Sequence, residues 1–399
     1  MNRTERGEES LFAIFRRFLR FGLLAWGGPV AQIAMIKREL VDEQHWVEPS
    51  RFNRLLAIYQ VLPGPEAHEL CVHFGMLKRG RLGGLLAGLG FMLPGLLLIL
   101  AIAWGYRQLD LAAAPFAGLF LGAQIAVIAL IVRAVHRIGE HALGDRWLWG
   151  IAVASGAAAL IGVSFWIVLP VAGLTYVLVG KRHFVAAAGV VAVAIGIALA
   201  TTGAGDARIV SDLASGASRA GNVGAVPLFF AGLKAGLLTF GGAYTAIPFV
   251  RDDAVGRGWI GEQQFLDGLA LSGIIPAPLI IFATFVGYQA GGLAGALAMT
   301  AGIFLPAFAF AILFFDRLEL VVEDQRLHRL LEGVAAGVVG LIAATTLELG
   351  ANVAAGAPSL ALAGGIFAAS LAVLYLWRSK FNVLAVIPLA AAAGAMALS

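Results

Sequence analysis

The segment GLLAWGG at residues 22–28 returns as GLLTFGG at residues 236–242, and this repetition organises the whole chain. A proline motif follows each copy, as PGP at residues 63–65 and as PAP at residues 276–278. Further matched pairs follow in the same order, namely Gly83 with Gly295 and Pro94 with Pro306. An ordered series of this kind indicates that one structural unit occurs twice.

The composition is that of a membrane protein. Of the 399 residues, 60% are hydrophobic and only 13% are charged, and the mean hydropathy is +0.88. Soluble domains carry about 25% charged residues. Apolar runs long enough to cross a hydrocarbon core recur along the chain. We therefore predict an all-α integral membrane protein.

The apolar runs give the number of membrane spans. We predict about thirteen transmembrane helices, at residues 18–36, 55–77, 82–105, 112–132, 147–163, 164–180, 184–202, 226–250, 265–289, 293–315, 330–350, 359–376 and 382–398. The spans at 147–163 and 164–180 are short and share almost no loop.

The basic residues orient these spans. With a cytoplasmic N-terminus, 20 of the 28 lysines and arginines fall on the cytoplasmic side, seven fall outside, and Lys234 lies within a span. Such an excess is typical of cytoplasmic loops. We predict a multi-pass protein of the inner (plasma) membrane whose N-terminus is cytoplasmic and whose C-terminus is outside.

The two copies of the repeat predict the domain organisation. Residues 1–183 would form a first six-helix repeat, residues 184–222 a linking helix and connector, and residues 223–399 a second repeat. Because a single helix separates two even sets, the second repeat would be inverted. Inverted repeats are common in secondary transporters, which expose one site to two sides in turn.

Helix breakers occur at matching places in both copies, near the predicted midplane. Proline and glycine interrupt helices, and such breaks at membrane depth are tolerated where the backbone is buried in protein or lines a cavity. The restarted helices would offer free amides and positive dipole ends to an anion. The alternative is that the prolines merely kink packed helices. The predicted substrate-binding breakers are Gly27, Gly28, Pro29, Pro63, Gly64, Pro65, Gly241, Gly242, Pro276 and Pro278.

Ionisable residues near the breaks complete the predicted site. Lys37, Arg38 and Lys234 are candidate anion attractors. Carboxylates within a membrane are costly and usually functional, although carboxylates also cap helix starts. The candidate coupling groups after the first proline motif are Glu66, His68 and Glu69.

Two other kinds of chemistry are not supported. His68, Glu69 and His73 resemble a zinc-protease motif, but the second histidine comes five residues after the first and lies off its helical face. We also find no phosphate-binding loop of the GxxxxGKS type. We therefore predict no metal, no cofactor and transport driven by a gradient.

The motifs resemble those of a known family. Residues 26–29 (WGGP), 63–66 (PGPE) and 240–244 (FGGAY) resemble the chromate ion transporter family in its long two-domain form. The resemblance covers almost the whole chain. It implies export of chromate, with sulfate as the structural analogue.

We therefore predict secondary active transport of an inorganic oxyanion, with chromate efflux giving chromate resistance. The alternatives are a transporter or channel for another small anion such as sulfate, and a membrane-embedded enzyme acting on a lipid-linked substrate. The predicted partners are the small anion and the lipid bilayer, with no nucleic acid, and the chain could form a homodimer.

Overall fold

The computed structural model describes residues 9–108, 114–203, 223–315, 325–377, 379 and 381–398. These residues form helices, turns and bends, and no β-strand occurs among them. Helices satisfy their own backbone hydrogen bonds, as a lipid environment requires. The predicted all-α class is confirmed, while most of the predicted connector lies outside the described residues.

The described residues form fifteen α-helices. The first half of the chain contains α1 (Leu11–Leu23), α2 (Gly28–Ile36, continued by a π-helix at Lys37–Glu43), α3 (Pro49–Val61), α4 (Glu66–Gln108), α5 (Ala114–Ala142), α6 (Arg146–Leu160), α7 (Phe165–Gly180) and α8 (Phe184–Gly203). The second half contains α9 (Ala225–Leu237), α10 (Ile247–Ala254, preceded by a 3-10 turn at Ala243–Ala246), α11 (Glu262–Gly273), α12 (Phe282–Leu313, preceded by a 3-10 turn at Leu279–Ile281), α13 (Gln325–Ala355), α14 (Leu360–Leu376) and α15 (Asn382–Ala397).

All four predicted breaks are present. The chain leaves helical geometry at residues 24–27, 62–65, 238–242 and 274–278. Gly27 and Gly28 have φ angles of 89° and 76°, and Gly241 and Gly242 have φ angles of 69° and 127°. Residues with a Cβ atom rarely adopt this region, so glycine permits the sharp turns there.

The first broken segment folds back on itself. The side chain of Arg17 in α1 donates to Glu39 beyond α2, at 3.2 Å, and Arg20 pairs with the same carboxylate. A straight helix would place residues 17 and 39 about 33 Å apart. Residues 11–43 therefore form a hairpin with its tip at the break.

The second broken segment folds back in the same way. The rings of Phe52 in α3 and Phe74 in α4 lie 6.3 Å apart, and the Lys78 ammonium lies 4.8 Å from the centre of the Trp46 ring. In addition, Arg79 donates a hydrogen bond to the carbonyl of Glu9. The two ends of this hairpin therefore lie on the same side as the start of α1.

The second copy contains equivalent hairpins. The Lys234 ammonium in α9 lies 2.5 Å from Asp253 and 3.3 Å from Asp252 at the far end of α10. The rings of Phe265 in α11 and Phe282 in α12 lie 5.8 Å apart. Each hairpin places its break at the tip.

These hairpins change the reading of four predicted spans. We predicted crossings, each broken near its centre, at 18–36, 55–77, 226–250 and 265–289, but the contacts return each segment toward the side on which it began. The breakers were read as interruptions of a helix that continues across the membrane. They reverse the chain instead, because left-handed glycines and prolines together remove the helical direction as well as its hydrogen bonds.

A further reversal divides α4 and α12 into two arms each. Helical geometry is lost at Arg79 and Gly80 (φ, ψ of −140°, 26° and 60°, −153°) and at Gly291 and Gly292 (−142°, 20° and 64°, −157°). We call the arms α4a (66–78), α4b (81–108), α12a (282–290) and α12b (293–313). The near-identical angles at matching positions show that the copies share backbone geometry as well as sequence.

Glycine contacts hold the arms together. A Cβ atom built on Gly83 would lie 2.3 Å from the carbonyl oxygen of Gly75, and one on Gly295 would lie 2.5 Å from that of Gly287. The arms therefore pack with their backbones in contact, as small residues allow in membrane proteins.

The long arms of the two copies run antiparallel. A Cβ atom built on Gly88 in α4b would lie 2.4 Å from Phe308 in α12b. At the other end of α4b, Arg107 donates a hydrogen bond of 3.0 Å to the carbonyl of Gln289, just before α12b. These two equivalent arms thus point in opposite directions.

The helices suit a lipid surrounding. Among the described residues, four helices are long and apolar enough to cross a membrane. They are Glu66–Gln108, Phe116–Ala142, Leu279–Leu313 and Leu327–Ala355, and shorter apolar helices accompany them. Large apolar side chains such as Leu97 and Trp104 are exposed on the outside of α4b. The chain is therefore a multi-pass membrane protein, whereas the number of crossings stays a prediction.

We expect Gly83→Ala to destabilise the fold, because the added methyl group collides with the Gly75 backbone. Overpacking of this kind costs about 1–3 kcal/mol, which for a chain of this length is about 1–4 °C in melting temperature. Thermal unfolding in detergent, followed by size-exclusion chromatography, measures the effect. Gly105→Ala in the same arm is the control, because its Cβ would enter open space. Equal melting temperatures for the two variants would contradict the backbone contact.

Candidate functional site

The glycine breaks of both copies line one cavity of about 730 Å³. We call it the arginine cavity. Its lining joins the tip of the first hairpin, the tip of the third, the C-terminal part of α5 and the start of α13. The charged and polar lining residues and the breakers are Gly27, Gly28, Pro29, Glu66, Arg133, Arg137, Glu140, His141, Gly241, Gly242, Tyr244, His328 and Glu332.

The tips offer backbone amides to this cavity. No side chain caps the first amides of α2, because its N-cap residue is Gly27, and Pro29 occupies its first turn. A Cβ atom on Gly28 would meet nothing within 4 Å, so the backbone faces open space. The first amides of a helix carry partial positive charge, which favours an anion.

The tips of the two copies also touch each other. The amide of Gly64 in the PGP motif donates a hydrogen bond of 2.8 Å to the carbonyl of Thr239 in the second copy. Ala277 in the PAP motif packs against Gly95, where an added Cβ would lie only 2.4 Å away. The breakers predicted from sequence therefore meet at one centre, although Pro63, Pro65, Pro276 and Pro278 do not line the arginine cavity.

Two carboxyl groups lie buried beside the tips. Glu66 lines the arginine cavity, and its Oε1 lies 4.0 Å from a Cβ atom built on Gly242. Glu69 is fully buried, and its Oε1 lies 2.7 Å from a Cβ built on Gly64. Within the described part of the chain, Glu66 Oε2 and both oxygens of Glu69 accept no hydrogen bond. A membrane-embedded carboxylate without partners is costly in its charged form, so it is a candidate for function.

The histidines after the PGP motif are packed away from the cavity. The ring of His68 is buried between Phe304 and Phe308, with ring centres 5.0 and 4.7 Å away. His73 Nδ1 lies 2.9 Å from the hydroxyl of Tyr59. The two rings have different surroundings, as expected from their spacing, and neither lines the arginine cavity.

The three cations predicted as anion attractors lie elsewhere. Lys37 and Arg38 begin the π-helix, and Arg38 is exposed and 3.5 Å from Glu43. Lys234 binds Asp253 and lies over the ring of Phe165. None of the three lines the arginine cavity.

Sequence analysis missed Arg133 and Arg137, which do line the cavity. We assigned both to a cytoplasmic loop, because the apolar run appeared to end at residue 132. Helix α5 continues to Ala142 instead. The spacing of Arg133, Arg137 and His141 by four residues was the available signal, since it places all three on one helical face.

Paired helix breaks at a buried centre, together with basic side chains facing the same cavity, are features of a membrane transporter for an anion. The comparisons with known proteins agree with this class. A family model described as chromate transporter matches residues 12–180 and 226–395. The chain belongs to this family, which confirms the resemblance in the motifs, and the family is one of transporters and not of enzymes.

Several relatives extend over most of the chain. A protein of Pseudomonas aeruginosa named chromate transport protein is 61% identical over 383 residues, which covers 96% of this chain and 91% of the relative. A probable chromate transport protein of Synechococcus elongatus is 28% identical, covering 86% and 85%. A chromate transport protein of Cupriavidus metallidurans is 29% identical, covering 83% and 80%. No solved structure matches the chain significantly.

We expect Ile33→Cys to react with a water-soluble thiol reagent, because Ile33 lines the arginine cavity. Ile36→Cys is the matched control, since Ile36 on the same helix is fully buried. Both are made with Cys71→Ser, which removes the single native cysteine. Mass spectrometry of the purified protein measures labelling. If Ile33→Cys is as unreactive as Ile36→Cys, the cavity is closed to water.

Proposed function

We propose that this protein is a secondary active transporter that carries chromate out of the cell and so confers chromate resistance. The observation that carries the proposal is the arginine cavity, where two broken hairpins meet Arg133 and Arg137. Three relatives that match most of the chain are named as chromate transport proteins, one of them as a probable one, which supports chromate as the substrate. Sulfate, which has the same shape and charge, is the expected competitor.

The cavity suits a tetrahedral dianion in two ways. The amides at the start of α2 supply donors in fixed positions, as helix starts do at anion sites. Arg133 and Arg137 supply positive charge and planar donors that match oxyanion geometry. We retain Lys37, Arg38 and Lys234 as residues that attract the anion from a distance, outside the contact site.

The buried carboxyl groups suit coupling to a proton gradient. Glu66 lies in the cavity and Glu69 lies beside it. A charged carboxylate near the anion would repel it, whereas a protonated one would not. Protonation of this pair would therefore favour anion binding, and loss of the proton would favour anion release. His68 would act indirectly, because its ring packs among phenylalanines behind the two carboxyl groups.

We further propose nine crossings and four hairpins that enter and leave on one side. The crossings would be α4b, α5, α6, α7, α8, α12b, α13, α14 and α15. This arrangement puts 22 of the 28 basic residues on the cytoplasmic side, five outside and Lys234 in a hairpin. The bias is stronger than with thirteen straight spans, which supports a cytoplasmic N-terminus and an outside C-terminus in the inner membrane.

The same arrangement supports inverted repeats. Four crossings would precede α8 and four would follow it, so the second copy would be upside down. The antiparallel packing of α4b and α12b supports this inversion. The domains would then be residues 1–183 and 223–399, joined by residues 184–222. A homodimer stays a prediction.

Removing one cavity arginine should weaken transport strongly. We expect Arg133→Gln and Arg137→Gln each to lower the initial rate of radiolabelled chromate uptake into inside-out vesicles about tenfold or more, since a hydrogen bond to a charged group is worth about 1.5–3 kcal/mol. Arg146→Gln is the control, because Arg146 is exposed at the start of α6.

The outcome with wild-type vesicles tests the function itself. Accumulation of chromate should saturate as its concentration rises, require an ion gradient and be inhibited by sulfate. Flux that is unsaturable and independent of a gradient would indicate a channel. An absence of chromate uptake would overturn chromate as the substrate.

The hairpins make a specific prediction about sidedness. Ser50→Cys and Arg81→Cys should react with an impermeant thiol reagent from the same, cytoplasmic side, because the second hairpin returns to where it began. Ser359→Cys should react from the outside only. Labelling of positions 50 and 81 from opposite sides would show that residues 55–77 cross the membrane.

A further inference from the structure

A second polar cavity, of about 760 Å³, lies on the other side of the hairpin tips. We call it the aspartate cavity. Its lining includes Tyr106, Arg107, Gln124, Trp259, Asp267 and Asn352. None of these residues belongs to the arginine cavity. The second cavity is thus a separate opening into the protein.

Helix α5 orders the two cavities along one line. Gln124 lines the aspartate cavity, Val127 and Ile131 line a narrow void of about 30 Å³, and Arg133 and Arg137 line the arginine cavity. Gln124 and Arg133 are separated by about 14 Å of helix. A void of this size holds about one water molecule. The narrow void therefore separates two wider chambers.

Two other helices show the same order. In α11, Asp267 lines the aspartate cavity and Ser272 and Gly273 line the narrow void. At α15, Leu398 lines the aspartate cavity, whereas Val383 lines both the void and the arginine cavity. Three independent helices thus describe one path that is constricted at its centre.

Asp267 ties the two halves of the protein together in the aspartate cavity. Its side chain is 3% exposed, and it is held by two hydrogen bonds. The Tyr106 hydroxyl donates to Oδ2 at 2.7 Å, and Gln124 Nε2 donates to Oδ1 at 2.7 Å. Tyr106 and Gln124 belong to the first copy and Asp267 to the second. The carboxylate therefore links α11 to α4b and α5 at the edge of the constriction.

Among the residues that the structure describes, few other charged or titratable groups face Asp267. From α4b these are Tyr106 and Arg107, and Arg107 is held by the carbonyl of Gln289 and the ring of Tyr288. On α11 itself, Glu262 is five residues away and pairs with Arg251. Helix α15 carries no ionisable side chain, and α5 presents the neutral Gln124.

We propose that the aspartate cavity is the far vestibule of the transport path and that Asp267 is a proton-operated latch that closes it. This inference rests on the proposed function. In the closed state the carboxylate accepts both hydrogen bonds. A proton from vestibule water adds to Oδ2, which then donates where it had accepted from Tyr106. The link between the copies weakens, α11 separates from α4b and α5, and the constriction opens. When the latch closes, the proton passes to water in the arginine cavity on the cytoplasmic side, so that protons move inward as chromate moves outward.

The decisive variant is Asp267→Asn, which keeps the shape of the side chain but binds no proton. In inside-out vesicles we expect accumulation of labelled chromate driven by a pH gradient to fall at least tenfold. Exchange of labelled for unlabelled chromate without a gradient should stay within about twofold of wild type, because the asparagine amide, like the protonated acid, can donate toward Tyr106 and leaves the latch able to open without a proton. Asp42→Asn, at an exposed carboxylate, is the control.

Two further variants separate the latch from a structural link. Asp267→Glu should retain gradient-driven accumulation, since it still binds a proton. Tyr106→Phe should move the pH of half-maximal uptake upward by about half a unit or more, because the charged carboxylate has lost one donor.

Several results would overturn the latch. Folded Asp267→Asn protein that accumulates chromate as wild type does would leave coupling to Glu66 and Glu69 alone. Loss of both accumulation and exchange in folded protein would indicate a structural link. If Asp267→Asn fails to fold in size-exclusion chromatography, an unchanged pH profile in Tyr106→Phe rejects the proposal. Wild-type vesicles that transport no chromate would reject the proposed function, and the latch with it.

Discussion

The structure depends on one constraint: backbone that leaves the helix at membrane depth must find its hydrogen-bond partners within the protein. The hairpin tips meet this requirement through contacts between the copies and within each tip. Gly64 donates to Thr239 across the interface, Gln32 donates to the carbonyl of Ala25, and the Thr245 hydroxyl donates to the carbonyl of Gly242. The bond from Gly64 means that the tip of the second hairpin depends on the other copy for a partner, because lipid offers none.

The charges in the interior follow from the same constraint. Three of the buried acidic groups lie in two separate environments, with Glu66 and Glu69 next to the tips and Asp267 beyond the constriction. The first pair lacks hydrogen bonds on three of its oxygen atoms, whereas Asp267 accepts two. Carboxyl groups that accept such different numbers of hydrogen bonds respond differently to a proton. A transporter that alternates between two sides needs this asymmetry, which exact symmetry between the copies would not provide.

The sequence predicted the breakers, the repeat and the helical class, because each depends on local chemistry. Glycine and proline act on their own backbone, so the turns at Gly27 and Gly64 were visible in the motifs. The direction of the chain after each break was not visible, since it is set by distant pairs such as Arg17 with Glu39. Arg133 was missed for a related reason. The end of an apolar run shows where hydrophobic residues stop. The helix itself can continue if its charged side chains line a polar cavity, as those of α5 do. Lys234 shows the converse, since a lysine within an apolar run is held by Asp253 instead of facing a substrate.

The position of Cys71 has a chemical consequence for a protein that handles chromate. Hexavalent chromium oxidises thiols, and the susceptibility of a cysteine follows its exposure. The single cysteine of this chain is completely enclosed in α4a, among the apolar residues behind the second hairpin. The burial of this thiol would thus keep it out of reach of an oxidising cargo.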